Sequence, residues 1–391
     1  MSVLPFVTDS ARAQSAQTCW TPQQLSGISG EHGIKKGLLA AYKSIPPGSI
    51  APRSPSFKAI GGAIRSVKLP AGKKLVAFTF DLCEQPYEIT GYQGSIVDYL
   101  REQGVSTTFF AGGKWLLNHP QRAEQIMGDP LFEFGNHAWE HRNFQLLTAD
   151  RMHTEIGGAQ LAYQHAYEGL RNRKCLDRTG QRPAYENAAP QTSLFRFPFG
   201  ACNAEAIKMA ESFGLHAIQW DVSAADPWHG QSVDGMVKGV MRQVKPGSIV
   251  LFHANGRGWK TGEAIPILVK RLRQQGYKFV KVSELLRAGE PVYTRSCYDS
   301  KPGDVDRYQS LSRKLEVSYD KFYAAHGKRR PTLSALAGAA GAEAQQLPGP
   351  GLEQPNTPPP LTGTAGGALP GHVETPPPHL GSTDDNPFES N

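Results

Sequence analysis

Between Lys73 and Leu286 the chain alternates two kinds of segment. Short apolar or alternating runs recur at Leu75–Phe80, Ser106–Phe110, Phe132–His137, Leu194–Pro198, Ala217–Val222, Ile249–His253 and Phe279–Val282. Most are separated by stretches with helical spacing: Gly94–Glu102, Gln121–Met127, Ala149–Leu170, Asn203–Phe213, Val233–Gln243 and Ala264–Gln275. Gly104, Gly214 and Gly276 sit just past three of those helices, where a C-terminal cap favours glycine. Strands alternating with helices predict parallel pairing and an α/β class. Seven strand candidates in one such stretch fit a distorted or incomplete (β/α) barrel of about seven parallel strands better than an open sheet. No internal repeat is visible.

The flanks read differently. Residues 1–72 are expected to form an N-terminal arm: polar, broken by Pro46-Pro47-Gly48 and Pro52, with one short helix over Gly30–Tyr42 and an anchor at Cys19. Within it, the apolar patch Val3–Val7 precedes Ala11-Arg12-Ala13-Gln14, a small-x-small pattern; with no basic residue ahead of it, this reads as the stub of an export signal. The barrel-like domain covers residues 73–290, with a polar insertion at 171–193, and a C-terminal extension covers 291–391. From Pro331 onward the extension has no Lys or Arg, six acids, 12 Pro and 9 Gly. That is beyond the roughly 25–30 % Pro plus Gly that marks low-complexity chain. Disorder is therefore expected there.

This tail changes the meaning of the net charge. The chain of 391 residues carries 42 Lys and Arg against 35 Asp and Glu, a formal +7, but the body without its acidic tail is more basic still. No apolar run approaches the ~18–20 residues of a bilayer span. Hydrophobic residues at 39 % suffice for a core, and five Cys are too few for a disulfide scaffold. Nucleic acid and an anionic polymer both suit a basic body. No nucleic-acid motif is present, which favours an anionic envelope polymer.

The candidate chemistry lies at strand ends. Asp81 follows Phe78-Thr79-Phe80, His137 ends the Phe132 run, Arg196 lies in Phe195-Arg196-Phe197-Pro198, Asp221 and Asp226 follow Ile218-Gln219-Trp220, and His253 closes Ile249–Phe252. In a β/α barrel that C-terminal rim is where active sites are built.

These residues fall into five ordered motifs, and over Lys73–Leu286 the sequence resembles the polysaccharide deacetylases (carbohydrate esterase family four). Thr79-Phe80-Asp81 is similar to the family's first motif, whose leading Asp is the catalytic base. His137-Ala138-Trp139-Glu140-His141 resembles its metal-binding His pair. Arg196-Phe197-Pro198-Phe199-Gly200 resembles its Arg-x-Pro-x-Gly groove wall, Asp221–Trp228 its Asp-x-x-Asp-Trp motif with Pro227 intruding, and Leu251-Phe252-His253 its closing Leu-x-His. The resemblance implies a metal-assisted hydrolase that removes N-acetyl groups from N-acetylglucosamine-containing polysaccharide, with an acetylated glycan as partner; the signal-like stub points to an exported, periplasmic or extracellular location. The resemblance also implies Asp81 as base, His253 as general acid, Arg196 orienting Asp81, Asp226 paired with His253, and the Phe199 amide at the oxyanion. His137 and His141, placed on one helical turn, would share a metal, Zn²⁺ being suited to an open N/O site.

One departure stands out. Where the family carries a second Asp as third metal ligand, this chain has Leu82, in Asp81-Leu82-Cys83-Glu84. Glu84 or Asp81 is expected to supply the missing oxygen, Glu84 being the ligand named and Cys83 ranked below it, or two His and waters hold the metal weakly; a metal-independent amidohydrolase, an O-acetyl esterase and a catalytically degenerate glycan-binding protein are the competing readings. The same histidines also spell His-x-x-Glu-His, an inverted zinc-peptidase motif with Glu140 as base. Gly135-Asn136 argues against the continuous helix that motif needs, and Arg196, Asp226 and His253 would go unexplained. Five cysteines allow fifteen two-bridge patterns, which the sequence does not resolve; the pattern put forward is Cys19–Cys297 with Cys175–Cys202, leaving Cys83 free.

Overall fold

A computed structural model describes residues 19–36, 43–48, 50, 60–178, 182 and 192–325. The export-signal stub, most of the polar insertion and the Pro/Gly-rich tail lie outside the described residues. The strands are β1 (Lys35–Lys36), β2 (Ala63–Lys68), β3 (Leu75–Leu82), β4 (Glu88–Ile89), β5 (Thr107–Ala111), β6 (Phe132–Asn136), β7 (Leu194–Phe195), β8 (His216–Ala217), β9 (Val222–Ser223), β10 (Ile249–His253), β11 (Lys278–Phe279) and β12 (Glu290–Thr294). Seven of them form one parallel sheet in the order β8-β7-β6-β5-β3-β10-β9, and β11 pairs parallel with the start of β3.

The sheet is curled, and the chain itself requires it. Seven strands laid flat would put β8 and β9 roughly 29 Å apart at about 4.8 Å per step. Only residues 218–221 join these two edges, a span of at most about 18 Å. The apolar run Ala217–Val222, expected to be one strand, therefore leaves the sheet at one edge and rejoins it at the other. Ile218 bridges Ile64 of β2 in the seam, and Gln219 N donates to the Ile64 carbonyl at 2.7 Å. On the same seam Val67 N donates to the Gly247 carbonyl. Gly247 has a φ of 89°, and a Cβ there would lie 1.7 Å from the Val67 carbonyl oxygen, so only glycine allows this approach. The result is a distorted, incomplete β/α barrel, as the sequence predicts.

Strand parity sorts the side chains. Along β3, Val76, Phe78, Phe80 and Leu82 pack outward against the surrounding helices, while Ala77 joins the cluster inside the curl with Phe110, Ile218, Trp220, Ile249 and Leu251. Each fully buried apolar side chain of this size contributes roughly 1.5–3 kcal/mol. On β10 the order repeats: Val250 and Phe252 face out, Ile249 and Leu251 face in. The outward face is covered by helices such as Gly94–Glu102, Ala149–Arg171, Val233–Gln243 and Thr261–Gln274.

The flanks are tied to this body by covalent bonds different from those expected. The bridges are Cys19–Cys175 and Cys202–Cys297, and Cys83 is free and buried. Pairing is decided by which loops meet around the barrel, which sequence separation does not report. Ordered chain also continues past residue 290: β12 pairs antiparallel with β2, and a helix follows at Arg307–Ala325. Of the helix expected over Gly30–Tyr42, the described part holds β1, which pairs antiparallel with β4. Arg122 holds this segment through Glu31, at 2.7 Å from Nε and 2.8 Å from Nη2.

Candidate active site

The inward parity of β3 and β10 continues to the C-terminal rim, where Asp81 and His253 are register partners on adjacent strands. Around them the structure brings together Asp81, His137, His141, Arg196, Asp226 and His253.

Arg196, at 0 % exposure, reaches across the curl. Its Nη1 donates to Asp81 Oδ1 at 2.7 Å, Nε to the Ile218 carbonyl and Nη2 to the Gln219 carbonyl, both at 3.3 Å. Its guanidinium lies over the Phe110 ring, 4.0 Å from the centroid. The irregular crossing at 218–221 thus supplies the carbonyls that hold the arginine. Burial pushes the Asp81 carboxyl up, but the charges of Arg196, His137 and His253 outweigh it and hold it below the usual carboxylate range. Asp81 is a carboxylate free to accept a proton through Oδ2.

Asp226 grips His253 twice: Oδ2 accepts the backbone N–H at 2.7 Å, and Oδ1 pairs with Nδ1 at 3.0 Å. Thr261 Oγ1 donates to Oδ2 at 2.7 Å. Burial lowers the affinity of His253 for a proton, but the Asp226 charge and hydrogen bond, with Asp81, raise its pKa overall. Pro227 does not disturb the pair, and Ala225 ahead of it takes a left-handed conformation (φ 52°). Gly258 abuts the same pair: a Cβ there would lie 2.3 Å from the His253 carbonyl and 3.0 Å from Asp226 Oδ2. Asp221 is engaged elsewhere, accepting from Ser248 Oγ and Ile249 N, both at 3.0 Å.

His137 and His141 do not share the expected helical turn. The segment after β6 is an irregular bend in which Ala138 (φ 64°) and His141 (φ 58°) are left-handed, and it still brings the rings together, centroids 5.0 Å apart. Left-handed non-glycine residues cost energy and persist where the surroundings impose them. Here Glu155 Oε2 accepts both Trp139 N and Glu140 N at 3.0 Å, and Asn136 Oδ1 accepts Ala138 N at 2.8 Å. Burial, with the Glu140 charge, pushes the Glu155 carboxyl up to about 7. His137 Nδ1 pairs with the Arg196 carbonyl at 2.9 Å, so Nδ1 carries the hydrogen and Nε2 keeps its lone pair. Burial holds both imidazoles below the usual histidine range, His141 well below, with the neighbouring charges setting the remainder.

Whether these residues suit a metal is answered by their unpaired atoms. His137 Nε2 and His141 Nδ1 are buried without a hydrogen-bond partner, and Nε2 lies 3.4 Å from Asp81 Oδ2, an acceptor facing an acceptor. A bound cation would satisfy both, so the donor set fits one. Glu84, the expected third ligand, is on the wrong side of the strand. By parity it points away from Asp81: Oε1 accepts Thr90 N at 2.9 Å and Oε2 accepts Asn118 Nδ2 at 2.5 Å. Cys83 shares the parity of Asp81, and its Sγ and the two imidazoles place ligand atoms within 4.8 Å of one another. Parity was the signal that could have ranked Cys83 above Glu84. Glu155 had no such signal; it lies on the following helix, Ala149–Arg171, outside the five motifs.

Phe199 (φ 58°) turns beside the site with its ring 4.4 Å from that of His141. Trp228 and Trp259 are exposed near the rim, the Trp259 ring tilted against that of His229 at 4.1 Å between centroids.

The chain is similar to several known proteins. Residues 68–218 match the family model described as polysaccharide deacetylase. A peptidoglycan-N-acetylglucosamine deacetylase of Bacillus cereus is 28 % identical over 223 residues, covering 56 % of this chain and 92 % of that protein. A chitooligosaccharide deacetylase of Azorhizobium caulinodans is 23 % identical over 189 residues, covering 48 % and 78 %. Among solved structures, a CE4 family pseudoenzyme from Bacillus anthracis aligns with a TM-score of 0.45 at 26 % identity, covering 62 % of this chain and 72 % of that one.

Proposed function

We propose that this chain, whose residues 68–218 belong to the polysaccharide deacetylase family, is a hydrolase that removes N-acetyl groups from an N-acetylglucosamine-containing glycan, releasing acetate and leaving a free amine. The observation that carries this reading is a pair of contacts on adjacent strands: Arg196 on the Asp81 carboxylate, which favours its ionised form, and Asp226 on the His253 imidazole, which favours its protonated form.

Amide hydrolysis needs both. Asp81 takes a proton through Oδ2 from the attacking water, and His253 delivers one to the nitrogen as the carbon–nitrogen bond breaks. Arg196 and Asp226 are positioning residues that fix the geometry and charge of this base and acid. The Phe199 amide, presented by its left-handed turn, suits the developing oxyanion. His137 and His141 would hold a divalent metal such as zinc, which when bound polarises a carbonyl and lowers the pKa of water. Trp228 and Trp259 offer aromatic faces to sugar rings at the rim.

Two bridges, Cys19–Cys175 and Cys202–Cys297, belong in an oxidising compartment. That supports an exported protein acting on envelope glycan, and a basic body suits an anionic polymer. No helix among the described residues is long and apolar enough to cross a membrane.

The test is acetate release from acetylated chitooligosaccharide and from peptidoglycan by wild type and Asp81→Asn. Loss of the general base should lower kcat by about 10²–10⁴-fold. Equal rates for the two proteins would remove Asp81 from the mechanism and the reading with it.

A further inference from the structure

Leu82 occupies the position where the sequence resemblance calls for a carboxylate ligand, and its side chain is buried at 0 % exposure among outward-facing core residues. Of the carboxylates nearby, only Asp81 keeps an oxygen free, the Oδ2 that serves as the base. Glu84 is bound by Thr90 and Asn118 on the far side of β3, and Asp81 Oδ1 is bound by Arg196. The inward position after Asp81 belongs to Cys83. It is the one cysteine outside the two bridges, it is 1 % exposed, and its Sγ shares a 4.8 Å neighbourhood with one ring nitrogen each from His137 and His141.

Two further observations point to a ligand. His137 is 1 % exposed, and its Nε2 is a buried lone pair without a partner, as is His141 Nδ1. Asn255, at 0 % exposure, donates its Nδ2 hydrogens to the Cys83 carbonyl at 2.7 Å and to Sγ at 3.3 Å, which orients the sulfur. A hydrogen bond to the sulfur and one from the His137 ring to the Arg196 carbonyl are the outer contacts that orient metal ligands.

We propose that Cys83, as a thiolate, is the third protein ligand of a divalent transition metal held by His137 and His141, and that this sulfur makes the site select zinc over magnesium, calcium and manganese. The inference rests on the metal-assisted reading above and deepens it. As the metal–sulfur bond forms, the thiol proton leaves to solvent. Thiolate and imidazole donors suit zinc, whereas the harder ions prefer oxygen ligands.

The full chain, disulfides intact, is stripped with chelator and titrated with cobalt(II) as a coloured stand-in for zinc. Wild type should develop a sulfur-to-cobalt charge-transfer band in the near ultraviolet. Cys83→Ser should lose that band and bind cobalt at least about 100-fold more weakly, since loss of an outer contact alone costs roughly 10–100-fold. Circular dichroism checks its fold. Cys83→Asp guards against a serine variant that fails to fold: it should bind cobalt without the band and shift preference toward manganese. A wild-type cobalt complex lacking the band, or a band that survives in either variant, overturns the proposal. A folded wild type that binds neither cobalt nor zinc overturns it too. In that case acetate release that resists chelator would keep the hydrolase reading, so the two failures separate.

Discussion

Replacing Asp226 with Asn tests the acid half of the site without touching the base. In the wild type the carboxylate lies against Nδ1 of His253 at 3.0 Å and receives the backbone N–H of the same residue at 2.7 Å. Two unit charges about 4 Å apart interact by about 4 kcal/mol at an effective dielectric near 20. At about 1.4 kcal/mol per unit, that is an upper limit of roughly three pKa units, and neighbouring charges usually move a group by about 1–3. The sign follows from the role. His253 must be protonated to deliver its proton, so kcat/KM falls as pH rises through its raised pKa. Without the Asp226 charge the desolvation of His253 is unopposed, and the alkaline limb of the profile should move to lower pH by about 1–3 units. Rates at acid pH should approach those of wild type. The amide can accept only one of the two His253 N–H groups, so up to one hydrogen bond, worth about 1–3 kcal/mol, is lost. Thermal unfolding must therefore confirm a folded protein before kinetics are compared. An alkaline limb that stays in place in the folded variant would refute the assignment of His253 as the acid.

Three further outcomes are expected. Glu155→Gln keeps an oxygen for Trp139 N and Glu140 N but removes a carboxyl whose folded pKa of about 7 exceeds the ordinary 4.5. The folded wild type binds this proton more tightly than the unfolded chain, so its stability falls as pH rises from about 4.5 to 7, by up to about 3 kcal/mol. The variant's melting temperature should lack that decline, and parallel pH curves would contradict the role given to Glu155. Arg196→Met leaves the Asp81 charge buried and unpaired and should cost about 3–5 kcal/mol in urea unfolding, whereas a loss below about 1 kcal/mol would mean that Asp81 is not held ionised. Thiol titration in denaturant should find one thiol before reduction and five after, and peptide mapping should recover Cys19–Cys175 and Cys202–Cys297. The Cys202→Ala/Cys297→Ala pair, whose bridge spans 95 positions, should be less stable by about 4–5 kcal/mol on the chain-entropy account.

Much of the site was legible because strand parity and strand ends are local properties. Asp81, Arg196 and His253 end or follow apolar runs, and the structure places them on the rim where those runs point. What escaped the sequence depends on contacts between distant segments. Ala217–Val222 has the composition of one strand, yet Ile218 and Gln219 bond to β7 and β2 and carry the chain across the seam. The spacing of His137 and His141 suggests a helical turn; the bend that replaces it is held by Glu155, from another element. Glu84 seemed the better ligand by chemistry, but parity turns it toward Thr90 and Asn118 and gives the inward position to Cys83. The cysteine pairing followed loops meeting in space, not the bracketing of segments in sequence.

On the proposed mechanism the Asp81 and His253 pair cleaves a sugar amide. Incubating the full chain, supplied with zinc, with a defined N-acetylglucosamine oligomer and measuring acetate and free amine together tests it most directly. Wild type should form acetate and amine in equal amounts, and Asp81→Asn should form both about 10²-fold or more slowly. Folded, zinc-supplied protein that forms neither product from this oligomer or from acetylated peptidoglycan would contradict the mechanism.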